Sequence, residues 1–374
     1  MGDMIISNAA ILEGKDLDIV RGYLEVRNGR IERISEGSPP TWDLNLKGGF
    51  ILPPLVNAHT HVADSVAKEL YLGKEQHEVV GRGGEKFKVL NSTPRTKLKR
   101  SIRSTLRYML RTGTLAHLDF REGGREGIRL LKEASVSEVK TFILGRPSTI
   151  VETDEVLDES DGVGLPSLMD HEEDKLELIS RKVKRARKLL SSHVAETHWK
   201  RKIEIKRAIK LRLSFAVHLT HADEDDLISL HKRGIPIVFC ARSNSLLSVG
   251  LPPINSAIRS GVKFMLGTDN VGICEPNMFE EMKFAWAYVR MANPKAGEEE
   301  ALALLKSVTI EPLEHFDIPW GPLEEGGKGT FIVLSRRGGL LDLRHAHAGI
   351  VNRVGSENIR AVFLDGENIL RARD

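Results

Sequence analysis

Short apolar and β-branched runs open the chain at Met4–Ile6, Tyr23–Arg27, Arg30–Ile34 and Gly49–Leu52. Asn28-Gly29 between two of them is a hairpin signal, because both residues tolerate positive φ. Similar runs return late, at Thr330–Leu334, Gly349–Arg353 and Ile359–Leu364, with Asp365-Gly366 as a further turn. This pattern predicts a small β-sandwich lobe built from both ends, residues 1–50 and 319–374.

Between the ends, strand and helix patterns alternate. Predicted strands are Phe50–Val56, Thr114–Phe120, Val139–Leu144, Val156–Val163, Ser191–Ala195, Ser214–His218, Ile235–Cys240 and Val262–Gly267. A long helix opens at Thr93-Pro94 and closes at Gly113, and others fall at Glu172–Leu190, Lys200–Lys210, Glu224–Lys232 and Met278–Met291. Asp223 precedes an acidic first turn and Gly234 follows the last one, as helix ends prefer. Alternating units over residues 51–318 predict an α/β fold, a (β/α)8 barrel.

Composition changes this picture little. A chain of 374 residues suits a large barrel with a smaller lobe. At 41% hydrophobic and 29% charged it has the makings of a sizeable core, and a net charge of +3 gives no argument for nucleic acid. The basic run Arg181–Lys188 is interrupted by Val183 and Ala186, with Leu189 and Leu190 following at helical spacing, and reads as a solvated helix face. Cys240 and Cys274 form no CxxC pair, which argues against a disulfide scaffold or a cysteine–zinc site. The first residues lack a basic, apolar leader, and no run approaches the roughly eighteen apolar residues of a membrane span, so a cytoplasmic location with no membrane partner is expected. Gln76 is the single glutamine among abundant Lys, Arg and Glu, a bias that fits a hot environment.

The chemistry lies in where the polar residues fall. His59 and His61, two apart at the end of a predicted strand, share a face and can aim two imidazoles at one ion. His193 lies near the end of the fifth predicted strand, His218 ends the sixth and Asp269 ends the eighth. Barrel active sites form at those C-terminal ends. Several imidazoles and a carboxylate meeting there suit zinc or a similar divalent ion, with a position left for water. Each has a plainer reading: His193 as a hydrogen-bonded wall residue, Glu196 as a helix N-terminal acid, Asp269 as turn chemistry. Their joint placement favours the site. His221, just past its strand, is expected to be structural.

With these residues in place, the chain resembles the amidohydrolase superfamily, in particular its cytosine-deaminase-like and chlorohydrolase-like aminohydrolases. The matching segments are Leu55–His61, His193 with Glu196, His218 with His221, Arg242–Asn244 and Leu266–Asn270, with Gly321–Gly326 and Gly329–Leu334 like the return to the family's lobe. An acidic residue often found before the last of these strands is replaced by Gly329-Thr330. The resemblance implies a mononuclear site: binuclear members use a lysine from the fourth strand, and Leu157–Gly164 contains none. It further implies that His59, His61, His193 and Asp269 hold one divalent metal ion, zinc first and iron or manganese as alternatives. His218 would then contact the developing oxygen, and Glu196 would face the substrate.

These residues suit hydrolytic deamination of an aminated heterocycle. Asp269 can take a proton from the attacking water, Glu196 can protonate the ring nitrogen and pass a proton to departing ammonia, and His218 can stabilise the new oxygen. Alternatives are a cyclic-amide or halide hydrolase, or a barrel that binds without turnover. Candidate substrate contacts are Arg121, Glu122, Arg146, Arg242, Asn270 and Glu275; their arginines would favour an anionic or carbonyl-rich small molecule, or else form salt bridges within the protein. Residues 62–91, with Gly81–Gly84, form a long connection that could serve as a lid. The apolar stretch Phe279–Met291 is expected to face the barrel, which leaves a homodimer resting on analogy alone.

Overall fold

The computed structural model describes residues 3–370. Residues 1–2 and 371–374, the outer ends of the N-terminal stretch and of the expected lobe, lie outside the described residues. Four strands come first: β1 (Met4–Glu13), β2 (Asp18–Arg27), β3 (Arg30–Glu36) and β4 (Leu44–Leu52). Nine follow: β5 (Leu55–His61), β6 (Thr114–Arg121), β7 (Lys140–Gly145), β8 (Gly162–Leu165), β9 (Leu189–Val194), β10 (Phe215–His218), β11 (Ile237–Phe239), β12 (Phe264–Leu266) and β13 (Asp269–Asn270). Three come last: β14 (Phe331–Leu334), β15 (Ile359–Leu364) and β16 (Glu367–Asn368).

Two compact units divide the chain. One takes in the chain up to Val56, Tyr108–Leu115 and the chain from Met278 on; the other takes in Asn57–Arg107 and Ala116–Asn277. In the first, strands from both ends join in one seven-stranded sheet, ordered β16-β15-β14-β4-β1-β2-β3. Asn28 (φ 50°) and Gly29 (φ 75°) make the expected tight turn between β2 and β3. The sheet packs on Ile6, Ile11, Leu24, Val26, Ile31, Ile51, Phe331, Val333 and Phe363. Gly113 needs its glycine: φ is +81°, and a Cβ there would stand 2.5 Å from Ile332 Cδ1. Helix Met278–Ala292 buries Phe279, Met282, Ala285 and Val289 and packs on helices Glu298–Lys306 and Ala346–Arg353.

The remaining strands form a nine-stranded sheet, ordered β12-β11-β10-β9-β8-β7-β6-β5-β13. Strands β5 and β6 are buried along their whole length, as strands covered on both faces must be. The end strands β12 and β13 are consecutive pieces of one segment, parted only by Gly267 and Thr268, so the sheet closes on itself into the (β/α)8 barrel. Asn57 clasps the closure: its Nδ2 donates to Thr268 Oγ1 (2.7 Å) and its Oδ1 accepts from Thr268 N (3.0 Å). Gly267 lets β5 approach, since a Cβ there would meet His59 N at 2.7 Å. No helix among the described residues is long and apolar enough to cross a membrane.

Three expected elements are corrected. The run Phe50–Val56 is two strands: Phe50–Leu52 ends β4, and the barrel begins at Leu55. Pro53 and Pro54 between them offer no N–H to a ladder. The fourth barrel strand is not Val156–Val163. That stretch ends a helix, Glu152–Glu159, opened by Glu152, Asp154 and Glu155, and the strand is Gly162–Leu165. Its glycines are demanded by contact, since a Cβ on Gly162 would stand 2.1 Å from Leu189 O. This strand also lacks a lysine. Finally, Gly349–Arg353 lies in the helix Ala346–Arg353. Its N-terminus is capped from far along the chain, by Glu298 Oε1 accepting from His347 N (3.0 Å) and Oε2 from Ala348 N (3.4 Å).

The basic run ends helix Glu173–Arg185, which buries Leu176, Ile179 and Val183 and exposes Arg181, Lys184 and Arg185.

Two outcomes follow from the barrel. Asn57→Ala leaves the buried Thr268 amide unpaired and should lower the urea-unfolding free energy by about 1–3 kcal/mol; an unchanged value would contradict the clasp. His117 sits under β5, its ring nitrogens each 2.9 Å from the hydroxyls of Thr60 and Thr141, and burial lowers its pKa from 6.5 to about 3. It is therefore neutral in the fold. Its contribution is complete above pH 6.5 and declines by about 1.4 kcal/mol for each unit below, until about pH 3. His117→Gln should flatten the fall in unfolding free energy between those limits, and an identical slope in variant and native protein would refute the assignment.

Candidate metal centre and active site

Strand register brings the expected ligands together. Asp269 pairs with Thr60 and Asn270 with His61, which sets the Asp269 carboxylate beside both first-strand imidazoles. Its Oδ1 lies 3.2 Å from His59 Nε2 and 3.5 Å from His61 Nε2. His193 enters from β9, with its ring centroid 5.1 Å from that of His59 and 5.5 Å from that of His61. His218, at the end of β10, lies 4.7 Å from His193 on the same measure. Phe120 in β6 floors the group, stacked on His193 at 5.3 Å and edge-on to His59 at 4.5 Å. At or just past the strand ends the backbone turns left-handed at Ala195 (φ 50°), His218 (76°), Leu219 (49°) and Asp269 (60°). Each costs roughly 1–3 kcal/mol, the kind of strain that collects at functional sites.

Burial lowers the His59 pKa to about 3, against the pull of Asp269. Burial and the neighbouring imidazole of His218 hold His193 well below 6.5. For Asp269 burial acts upward, but the contact with His59 and the charges of His218, His59 and His61 outweigh it, leaving the carboxyl well below its usual range. Divalent ions are ligated by neutral imidazoles and ionised carboxylates. His59, His193 and Asp269 are pushed toward those states, whereas the neighbouring Glu122 raises the pKa of His61 against its burial. Both ring nitrogens of His59 and Nε2 of His193 are buried without a hydrogen-bond partner. Buried polar atoms are nearly always partnered, so an unpartnered nitrogen on each of these two neighbouring rings fits a cation between them. Two overlapping groups have donor atoms within 4.8 Å of one another: His59, His193 and His218, and His59, His61 and Asp269.

Neighbouring groups aim this set. Ser243 Oγ donates to Asp269 Oδ2 at 2.5 Å. The side-chain amide of Asn244 holds His218 Nδ1 (3.2 Å to its Nδ2, 3.4 Å to its Oδ1), which turns Nε2 of that ring toward Glu196. His61 Nδ1 lies 3.2 Å from Glu122 Oε1. With Nδ1 facing that carboxylate, Nε2 is the end of the ring turned toward Asp269. Glu196 Oε2 stands 3.8 Å from His218 Nε2, and its side chain keeps 18% of its exposure, so a ligand in the cavity can reach it. Burial raises the Glu196 pKa. Gln76 Nε2 donates to Glu196 Oε1.

The expected substrate contacts separate. Arg146 and Asn270 line the cavity over the site. Glu122 lies behind its wall, and Arg121 is buried, bound to Glu122 Oε2 at 2.8 Å. Arg242 donates to the backbone oxygen of Glu275 (2.8 Å), and neither residue lines that cavity. Glu275 is exposed. His221 lies against His198, with centroids 3.7 Å apart. Sequence reasoning missed Lys86 and Asp64. Lys86 is buried between Asp64 Oδ2 (2.9 Å) and Glu122 Oε1 (3.0 Å), and Asn270 Nδ2 donates to the same Asp64 oxygen at 2.7 Å. The signal lay in the segment already noted as a long connection, where a lysine and an aspartate bracket the glycine-bearing turn.

A barrel that gathers buried imidazoles and a carboxylate at its C-terminal mouth has the architecture of a metal-dependent hydrolase. The chain belongs to the amidohydrolase family, whose model matches residues 50–369. An uncharacterised protein of Methanocaldococcus jannaschii is 30% identical over 369 residues, covering 93% of this chain and 95% of that one. A 5-methylthioadenosine/S-adenosylhomocysteine deaminase of Thermotoga maritima is 24% identical, covering 88% and 84%. The crystal structure of an atrazine chlorohydrolase from Arthrobacter aurescens complexed with zinc superposes with a TM-score of 0.81 at 14% identity, over 98% of this chain and 95% of that one. The protein is thus a hydrolase of carbon–nitrogen bonds other than peptide bonds.

His59→Ala or His193→Ala should weaken zinc binding at least about tenfold, the scale on which even outer partners act. Competition with a fluorescent chelator reads this; native affinity in both variants would remove these residues from the ligand set.

Proposed function

We propose that the protein is a hydrolytic deaminase of a small aminated heterocycle. It exchanges a ring amino group for oxygen at the expense of water and releases ammonia. The observation that carries this reading is Glu196. It is a carboxyl with a pKa raised by burial, 3.8 Å from His218 and lining the same cavity as His61, His193 and Asp269. A carboxyl can donate when protonated and accept when ionised, and burial shifts this one toward the protonated form.

One divalent ion per chain, zinc first with iron or manganese as alternatives, would be held by His59, His61, His193 and Asp269, and would lower the pKa of water from 15.7 toward about 7. Asp269, kept ionised by its imidazole neighbours, accepts the proton of the attacking water. Glu196 donates to the ring nitrogen as the adjacent carbon becomes tetrahedral, then delivers a proton to the departing amine. His218, fixed through Nδ1 by Asn244, directs Nε2 at the new oxygen and stabilises its charge. Gln76 holds Glu196 in place from the segment above.

Glu196→Gln should keep its zinc and lose a factor of about 10²–10⁴ in ammonia release, measured across aminopurines, aminopyrimidines, pterins and triazine amines, because general acid–base catalysis is worth that much. Full turnover in the variant would remove the proton shuttle. Release of halide or of a ring-opened acid, with no ammonia from any amine, would assign the chain to the other bond types of its family.

A further inference from the structure

The cavity over the site is about 240 Å³, below the range of most small-molecule pockets and suited to one ring system with a small substituent. Among its lining residues Arg82, Lys86 and Arg146 are cationic. They differ in how far their charge is already used. Lys86 is held by two carboxylates, Asp64 at 2.9 Å and Glu122 at 3.0 Å. Glu122 Oε2 is taken by Arg121 at 2.8 Å. Its other oxygen, Oε1, serves Lys86 at 3.0 Å, His61 Nδ1 at 3.2 Å and Arg146 Nη1 at 3.4 Å.

Arg146 therefore has the longest of three contacts to one oxygen. Its Nε is buried with no hydrogen-bond partner. A guanidinium has five N–H donors in a planar fork that matches a carboxylate. On the glycine-bearing turn Gly81–Gly84, Arg82 is exposed. Of the carboxylates at the cavity, Glu196 and Asp269 are committed to the site, and Asp170 is exposed.

The geometry points to a substrate that carries a carboxylate on its aminated ring, with Arg146 binding that carboxylate and Arg82 closing over it. This rests on the deaminase reading for the amino group, but the anion site can be tested without turnover. Deaminated products serve as probes, because the native enzyme cannot deaminate them further. Uracil is compared with orotate and with 5-carboxyuracil, and lumazine with lumazine-6-carboxylate, by titration calorimetry on the zinc-loaded native protein.

In at least one pair the carboxylated member should bind at least about tenfold tighter, the scale of a charge-assisted bidentate contact. In Arg146→Met the preference should vanish while zinc content is unchanged. Arg146→Lys should keep part of it, and Arg82→Met, at an exposed position, should reduce it without affecting folding. The assignment is overturned if no carboxylated probe is preferred in any pair, whether through equal binding or none. It is equally overturned if the preference survives in Arg146→Met, which would place the carboxylate on the metal. A carboxylate preference lost with Arg146, together with no ammonia release from the matching amines, would sustain the anion site and remove the deaminase reading.

Discussion

The segment Phe264–Asn270 has to close a ring of strands and deliver a carboxylate, and both tasks are met by one change of direction at Gly267 and Thr268. β12 continues one side of the sheet, the chain crosses where only glycine clears His59, and β13 joins the other side in register with Thr60 and His61. Asn57 fixes that crossing with two hydrogen bonds. Were the crossing to slip by one residue, Asp269 would point to the opposite side of the strand. His59 would then lose the carboxylate that faces it, and His61 one of the two that face it.

Around this centre the protein balances charge in layers. Asp269 faces the imidazoles, Glu122 backs His61, and Lys86 and Arg121 answer Glu122. Asp64 and Asp119 answer those cations in turn. Buried charges are tolerable only when paired and hydrogen-bonded, so each member needs the next. The network is also what ties the connection after β5 to the strand ends.

Much of this was legible in the sequence because the signals were local. A His-x-His after an apolar run, histidines at later strand ends and an Asp-Asn after a short apolar run need only the period of a strand to be read together. What escaped was set by distant contacts. β8 is half glycine, and its glycines answer to Leu189 and Phe120 rather than to any hydrophobic period. Helix Ala346–Arg353 reads as a strand until Glu298, about fifty positions away, caps it. Of the motif Arg242–Asn244, the arginine drew attention by its charge, yet Ser243 and Asn244 touch Asp269 and His218. Lys86 was hard to single out, because it is one of four lysines in a polar connection and looks like surface until its two carboxylates are seen.

The Lys86–Asp64 pair also decides how the site can admit a ligand. Asp64 stands at the start of the long connection and Lys86 near its end, so the ion pair staples the two feet of the intervening loop to each other and, through Glu122, to β6. Swinging the whole connection away would strand buried charges, a loss several times thermal energy. The arch between the staples carries Gln76 and Arg82, which line the cavity, and has Gly81, Gly83 and Gly84 close to its Lys86 foot. That ion pair fixes the rim from which the arch springs. Substitutions in that arch away from Gln76 can reshape the cavity mouth while the strand-end residues beneath it keep their contacts.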